Sequence, residues 1–425
     1  MPHLSAVRRL TVLHRPAALL PALLLAGLVA CGPSTEDEEP EIEARKGSFS
    51  KATAATSQRP TRNLDPQSLR NMSELIAGVL PDVEGESPSP VWLEHAQVME
   101  ATWRTIDERM GKMRTWAGQE LGDMPEPQAP LFYPFGGPDL ISALQLFPEA
   151  NSYLLVGLEA PGQLPLPEDF KASALAEDIA RLRRPFETFA EAGYFIRSEI
   201  DKDLSGGQFD GILPILLICL VRAEQTPLAL DYVHIDPETM KISPLPPDTE
   251  EAAVVRIKFA ARPEAESLLQ AIEAGDPLPE IQQRAVYYFA QDLSDRGLLS
   301  EEPFRRLVEH QPATNVYIKS GEYLAHTDDF STLRKMVLKN AQTLLQDDSG
   351  LPIRFLRSDR WTMRLYGSYT GVLAAYSQWH QEDLEAAFRK PDVRPLDFTA
   401  GYNSVTGGGL ILANRRADTA APAAP

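Results

Sequence analysis

The chain has 425 residues, with 60 acids against 41 lysines and arginines and a net charge of −19. So acidic a surface repels phosphate backbones, and no cluster of Lys and Arg interleaved with aromatics offsets it, which excludes nucleic acid as a partner. Cysteine occurs only as Cys31 and Cys219, so a framework of several disulfides is excluded too, and the fold must rest on its core.

The first fifteen residues carry Arg8, Arg9 and Arg15 and no acid, and Ala17 to Ala30 is a run of apolar or small residues. This is the layout of a secretory signal and is short for a membrane span. The run ends Leu28-Val29-Ala30-Cys31, which resembles the lipobox of bacterial lipoproteins. The resemblance implies removal of residues 1–30, a diacylglycerol on the thiol of Cys31 and acylation of the new N-terminus. Gly32 stands where that class carries its inner-membrane retention Asp, which implies the outer membrane. Loss of the leader removes three arginines and moves the charge from −19 to −22. Residues 32–43 then hold six acids and no base, so 31–63 reads as a disordered acidic tether. The expected organisation is signal peptide 1–30, tether 31–63, one globular domain over 64–415 and a frayed tail over 416–425.

Within 64–125 the pattern is helical. Ala96, Met99, Trp103, Ile106, Met110, Met113 and Trp116 step by three or four and mark a core-facing stripe. "DMPEPQAP" ends that helix. "LFYPF", "GGP", "DLISALQLFPEA" and "NSYLLVGLEA" follow as strand, turn, helix and strand, the signature of a parallel βαβ unit. Leu175, Ile179, Leu182, Phe186 and Phe189 predict a helix stopped by Gly193. "GILPILLICLV" is a buried helix or strand, with Cys219 a structural thiol rather than a nucleophile, since no charged neighbour lowers its pKa. "LALDYVHI", "AAVVRIKFAA", "QRAVYYFAQ", "TNVYIKS" and "RWTMRLY" read as strands. "DDFSTLRKMVLKNAQTLL" reads as one helix, capped by Asp328, Asp329 or Ser331, and "SQWHQEDLEAAFRK" as another. "PLDFTAGYN" and "GLILANR" read as a C-terminal hairpin around "SVTGG". The expected fold is α/β: a mainly parallel sheet flanked by helices, with an N-terminal helical segment and a C-terminal antiparallel hairpin.

Three stretches are candidate sites. In "YPFGGPD", Gly136, Gly137 and Asp139 lie where a strand meets a helix, and Glu159 ends the next strand. The placement is loosely similar to a nucleotide or S-adenosylmethionine site. Yet G-x-G-x-x-G is missing, Pro138 removes a donor, and a plain turn accounts for the residues equally. In "QDDSG", Asp347, Asp348 and Ser349 are either a turn or a carboxylate pair sharing a proton. The histidines, among them His95, His326 and His380, show no metal-ligand spacing, so neither metal nor cofactor is called for.

"FYPFGGPDLISALQLFPEANSYLLVGLEAPG", "YIKSGEYLAH", "LLQDDSGLP" and "RLYGSYTGVL" together resemble an uncharacterised family of exported bacterial proteins. The resemblance spans roughly residues 90–415 and implies one fold without an assigned activity. Two functions are expected from different classes. One is a lipid-anchored envelope protein that binds a small-molecule ligand or an envelope partner. The other is an α/β enzyme whose site is built from the PFGGPD and QDDSG loops. The enzyme gains if these two loops and Glu159 meet in one concave pocket, and the binding protein gains if each is a solitary turn.

Overall fold

The computed structural model describes residues 64–80, 89–157, 159–165, 170–204, 207–236, 241–245, 254–276, 284–290, 314–369, 371–402 and 408–417. All fall within one compact unit, Ser48–Pro425. The leader, Cys31, the tether and the tail beyond residue 417 lie outside the described residues. Among those described, no helix is long and apolar enough to cross a membrane.

The chain starts with α1 (Pro66–Ile76) and α2 (Pro90–Glu120). Asp65 caps α1 by accepting the Ser68 amide at 2.9 Å, and proline opens both helices, where its missing N–H costs nothing. On α2 the expected stripe from Met99 to Trp116 is buried, and only Ala96 is half-buried. The next elements are β1 (Leu131–Tyr133), α3 (Leu140–Leu146) and β2 (Ser152–Gly157). Then come α4 (Ala172–Ala192), α5 (Arg197–Asp203) and α6 (Leu213–Arg222). Gly193 ends α4 in a left-handed conformation at φ 83°. Cys219 lies in α6, fully buried, and burial pushes its thiol far above the ordinary range.

Strands β3 (Gln225–Ile235), β4 (Ile242–Pro244) and β5 (Val254–Ala261) precede α7 (Arg262–Ala274), β6 (Arg284–Ala290) and β7 (Asn315–Ile318). The chain closes with α8 (Ser331–Asn340), β8 (Thr343–Gln346), β9 (Trp361–Gly367), α9 (Glu382–Phe388) and β10 (Gly409–Arg415).

The ten strands form one sheet in the order β4-β3-β5-β6-β2-β1-β7-β8-β10-β9. Its centre, β6-β2-β1-β7-β8, is parallel. Every pairing on either flank is antiparallel, five against four, which corrects the expectation of a mainly parallel sheet. Within the described residues, helical crossovers join β1 to β2 and β7 to β8, whereas no helix is described between β3 and β5, where the chain doubles back.

The C-terminal hairpin is corrected as well. Strand β10 inserts between β8 and β9, and residues 395–402 form no strand. Pro395 lacks the N–H a ladder needs, and β8 already offers an open edge. The expected helix over 328–345 splits: α8 stops at Asn340 and Thr343–Gln346 becomes β8, with no side-chain cap on α8.

Alternation along the strands divides two cores. Tyr133, Tyr153, Leu155, Tyr288 and Tyr317 face α2, α3, α4 and α6. Phe132, Leu154, Val156, Val316 and Ile318 face α8, α9 and the 3₁₀ turns near them. Each fully buried apolar side chain contributes about 1.5–3 kcal/mol.

Candidate functional site

The parallel strands β2, β1, β7 and β8 are neighbours, and the chain leaves each of them at the same, carboxyl-terminal edge of the sheet. Glu159 follows β2, Gly136, Gly137 and Asp139 follow β1, Lys319 and Ser320 follow β7, and Asp347, Asp348 and Ser349 follow β8. Open sheets hold ligands at such an edge.

Lys319 joins two of these loops. Its ammonium lies 2.6 Å from Asp139 Oδ2 and also donates to Ser142 Oγ at 3.2 Å and the Gly193 carbonyl at 3.1 Å. Both charged side chains are about 95 % buried, at 4 % and 6 % exposure. Asp139 is also the N-cap of α3, and Tyr133 donates its hydroxyl to the same carboxylate at 3.0 Å. Burial first, and then the Asp139 charge, hold the Tyr133 phenol well above its usual range.

The loops after β7 and β8 are tied amide by amide. Ser320 N–H donates to Asp347 Oδ2 at 2.7 Å, Gly321 N–H to Ser349 Oγ at 2.8 Å, and Glu322 N–H to the Tyr402 hydroxyl at 3.1 Å. Tyr402 returns its proton to the Ser320 carbonyl at 2.6 Å. Asp347 Oδ1 accepts from the amide and the hydroxyl of Ser349. Asp348 accepts from Tyr323 Oη at 2.5 Å, and Gln381 donates to its backbone carbonyl. Burial raises the Asp347 carboxyl, against the pull of its hydrogen bonds and of Lys319. Burial and the neighbouring Asp347 push Asp348 up to about 7.

This turn is strained. Ser320, Glu322 and Tyr323 have φ of 53°, 49° and 56°, a left-handed region that costs a residue with a Cβ roughly 1–2 kcal/mol. Gly321 is there for another reason: a Cβ on it would meet the Phe135 ring at 3.0 Å. Ser320 Oγ is enclosed and makes no hydrogen bond among the described residues. On the outer side, Tyr194, Tyr376 and Tyr402 are half-buried and their rings meet, with Tyr376 and Tyr402 stacked at 5.7 Å.

The glycine loop differs from an anion cradle. Gly136 N–H donates to the Tyr133 carbonyl, Gly137 N–H to the Val156 carbonyl and Asp139 N–H to the Gly136 carbonyl. Its amides are therefore spent within the chain. The loop does approach Glu159: a Cβ on Gly137 would lie 3.7 Å from Glu159 Oε2, and Tyr288 donates to the Glu159 carbonyl at 2.8 Å. Among the described residues no group of His, Cys, Asp and Glu is arranged to hold a metal ion.

Sequence reasoning missed Lys319, Ser320, Tyr323 and Tyr402. For Lys319 a signal existed. It continues the parity of Tyr317, a core-facing position, beyond the end of an apolar strand, where a lysine needs a partner. Tyr402 carries no local signal, because its role comes from contacts with residues some 80 positions away. No protein-family model, no curated protein and no solved structure matches the chain.

Proposed function

We propose that the chain is a lipid-anchored protein of the bacterial outer membrane, attached through Cys31, whose domain binds a small neutral ligand, of the sugar type, at the carboxyl-terminal edge of the parallel strands. The observation that carries the ligand reading is the shared network of the loops after β1, β7 and β8, with Asp139–Lys319 and Ser320–Asp347 as its ties. Lys319 is already paired with Asp139 there, and Asp347, Asp348 and Glu159 add no positive charge, so the edge offers little to an anion. The half-buried faces of Tyr194, Tyr376 and Tyr402 suit the apolar face of a sugar ring, and carboxylates suit its hydroxyls. Support for the anchor is the order of basic start, apolar run and Leu28-Val29-Ala30-Cys31.

A second reading, catalysis at the same edge, is favoured by the ties that link the PFGGPD and QDDSG loops through Lys319 and Ser320, and by three non-glycine residues in left-handed conformations within four positions. Such strain clusters at active sites.

Cys31→Ala in the full chain should abolish incorporation of a palmitate analogue and shift the protein from the membrane pellet to the soluble fraction. An unchanged pellet and unchanged labelling would end the anchor reading. In a thermal-shift panel, neutral sugars should raise Tm where nucleotides do not, and Tyr402→Phe should reduce the shift. Stabilisation by nucleotides alone would overturn the ligand class.

A further inference from the structure

We infer that the opposite edge of the same strands carries a second ligand site, one for a small, neutral, largely apolar molecule with a carbonyl oxygen. A cavity of about 240 Å³ opens where the chain enters β1 and β2, between the C-terminal ends of α2 and α3. Leu121, Met124, Leu144 and Phe147 supply apolar walls. Gly118 lies in the last turns of α2, where glycine weakens a helix, and a Cβ on it would meet nothing within 4 Å. The space is therefore open and is not a close approach that demands glycine.

Gln145 gives the cavity its polar direction. Its side chain lines the wall at 6 % exposure. Its Oε1 accepts from Arg114 at 2.8 Å, while no hydrogen bond of its Nε2 is found among the described residues. That N–H₂ is not enclosed and can meet water, which a carbonyl oxygen in the cavity can replace as its acceptor. The charges on the lining are Arg114 and Glu149, one of each sign, and Arg114 already meets Asp107 at 3.0 Å. A charged ligand gains nothing there, so the occupant is neutral. A largely apolar hollow with one placed polar group is the usual form of a small-molecule site. This inference is independent of the carboxyl-terminal edge.

The test is titration of acetanilide into the full chain in lipid nanodiscs, with empty nanodiscs subtracted and ethylbenzene as the probe lacking a carbonyl. Acetanilide should bind. Gly118→Leu should weaken it at least tenfold with Tm unchanged or raised, because the side chain fills empty space. Gln145→Met should weaken acetanilide about fivefold and leave ethylbenzene unchanged. The inference is overturned if acetanilide does not bind the wild type, or if Gly118→Leu binds it as well. A lower Tm in Gly118→Leu overturns the open space, and equal weakening of both probes in Gln145→Met overturns the role of the amide.

Discussion

The two edges of the parallel strands solve the same problem in opposite ways. At the carboxyl-terminal edge, charged and polar side chains are taken out of water and matched to one another, and the turn after β7 accepts left-handed backbone to let them meet. At the amino-terminal edge, Gly118 and Gln145 leave space and a free donor, and the charges stay at the rim. Stability is therefore exposed to single substitutions to different degrees at the two edges. The first edge is tied because each of its buried charged groups has a partner whose loss strands another. The second tolerates filling because little depends on it.

The sharpest way to break this contrast is Lys319→Met. It leaves Asp139 charged and buried without its cation, and removes donors from Ser142 Oγ and the Gly193 carbonyl. Breaking one side of a buried pair costs about 3–5 kcal/mol, so urea unfolding should show a loss of that size. Asp139→Asn combined with Lys319→Met should recover part of it, since no charge is then left alone and Asn still caps α3. A loss below about 1 kcal/mol would mean that water reaches the pair and that this edge is no tighter than the other.

The next effect in size is a pH dependence. The carboxyl of Asp348 is raised by burial and by Asp347 from the ordinary 3.8 to about 7. A carboxyl raised in the folded state contributes stability that is full below 3.8 and is lost as the pH climbs towards 7. Asp348→Asn cannot ionise and should keep the Tyr323 hydrogen bond through its side-chain oxygen. The variant should therefore match the wild type at pH 4 and exceed it by on the order of 2 kcal/mol at pH 8. His95 and His326 act in the opposite sense in part of that window. Burial holds both down to about 4, so their contribution is lost as the pH falls from 6.5. The wild-type curve alone is thus a compromise, and the difference between variant and wild type removes the histidines and leaves the Asp347–Asp348 pair. A difference independent of pH would show that Asp348 is ionised throughout.

What could be read beforehand follows the range of the forces involved. The α2 stripe, the α4 face with its Gly193 stop, and the alternation in β9 are local periodicities, and each appears in the chain as spaced residues. Strand direction is not local. It depends on whether the chain crosses over or doubles back, which "LALDYVHI" and "AAVVRIKFAA" do not encode. The run "QTLL" has no helix breaker before it, and pairing with β7 on one side and β10 on the other makes it a strand. Asp139, Asp347 and Asp348 were legible as acids in turns, but their burial was not, because it depends on Lys319 and Tyr323 from the turn after β7. In "KSGEY" the glycine is the natural owner of positive φ, whereas the structure gives that conformation to its neighbours and uses Gly321 to clear Phe135.

The smallest expected effect probes that strain directly. Ser320→Gly places the left-handed conformation on a residue that adopts it freely, and it removes an enclosed hydroxyl that finds no partner. Against this, glycine loosens the unfolded chain by about 0.4–1 kcal/mol, so the net gain should lie near 0.5 kcal/mol. The amide to Asp347 and the carbonyl to Tyr402 belong to the backbone and survive the change. Thermal unfolding should therefore rise slightly, with Ser320→Ala rising less, because alanine keeps the strain and loses only the hydroxyl. If Ser320→Gly instead unfolds more readily than Ser320→Ala, the turn is not under strain. The carboxyl-terminal edge would then owe its rigidity to the charged network alone.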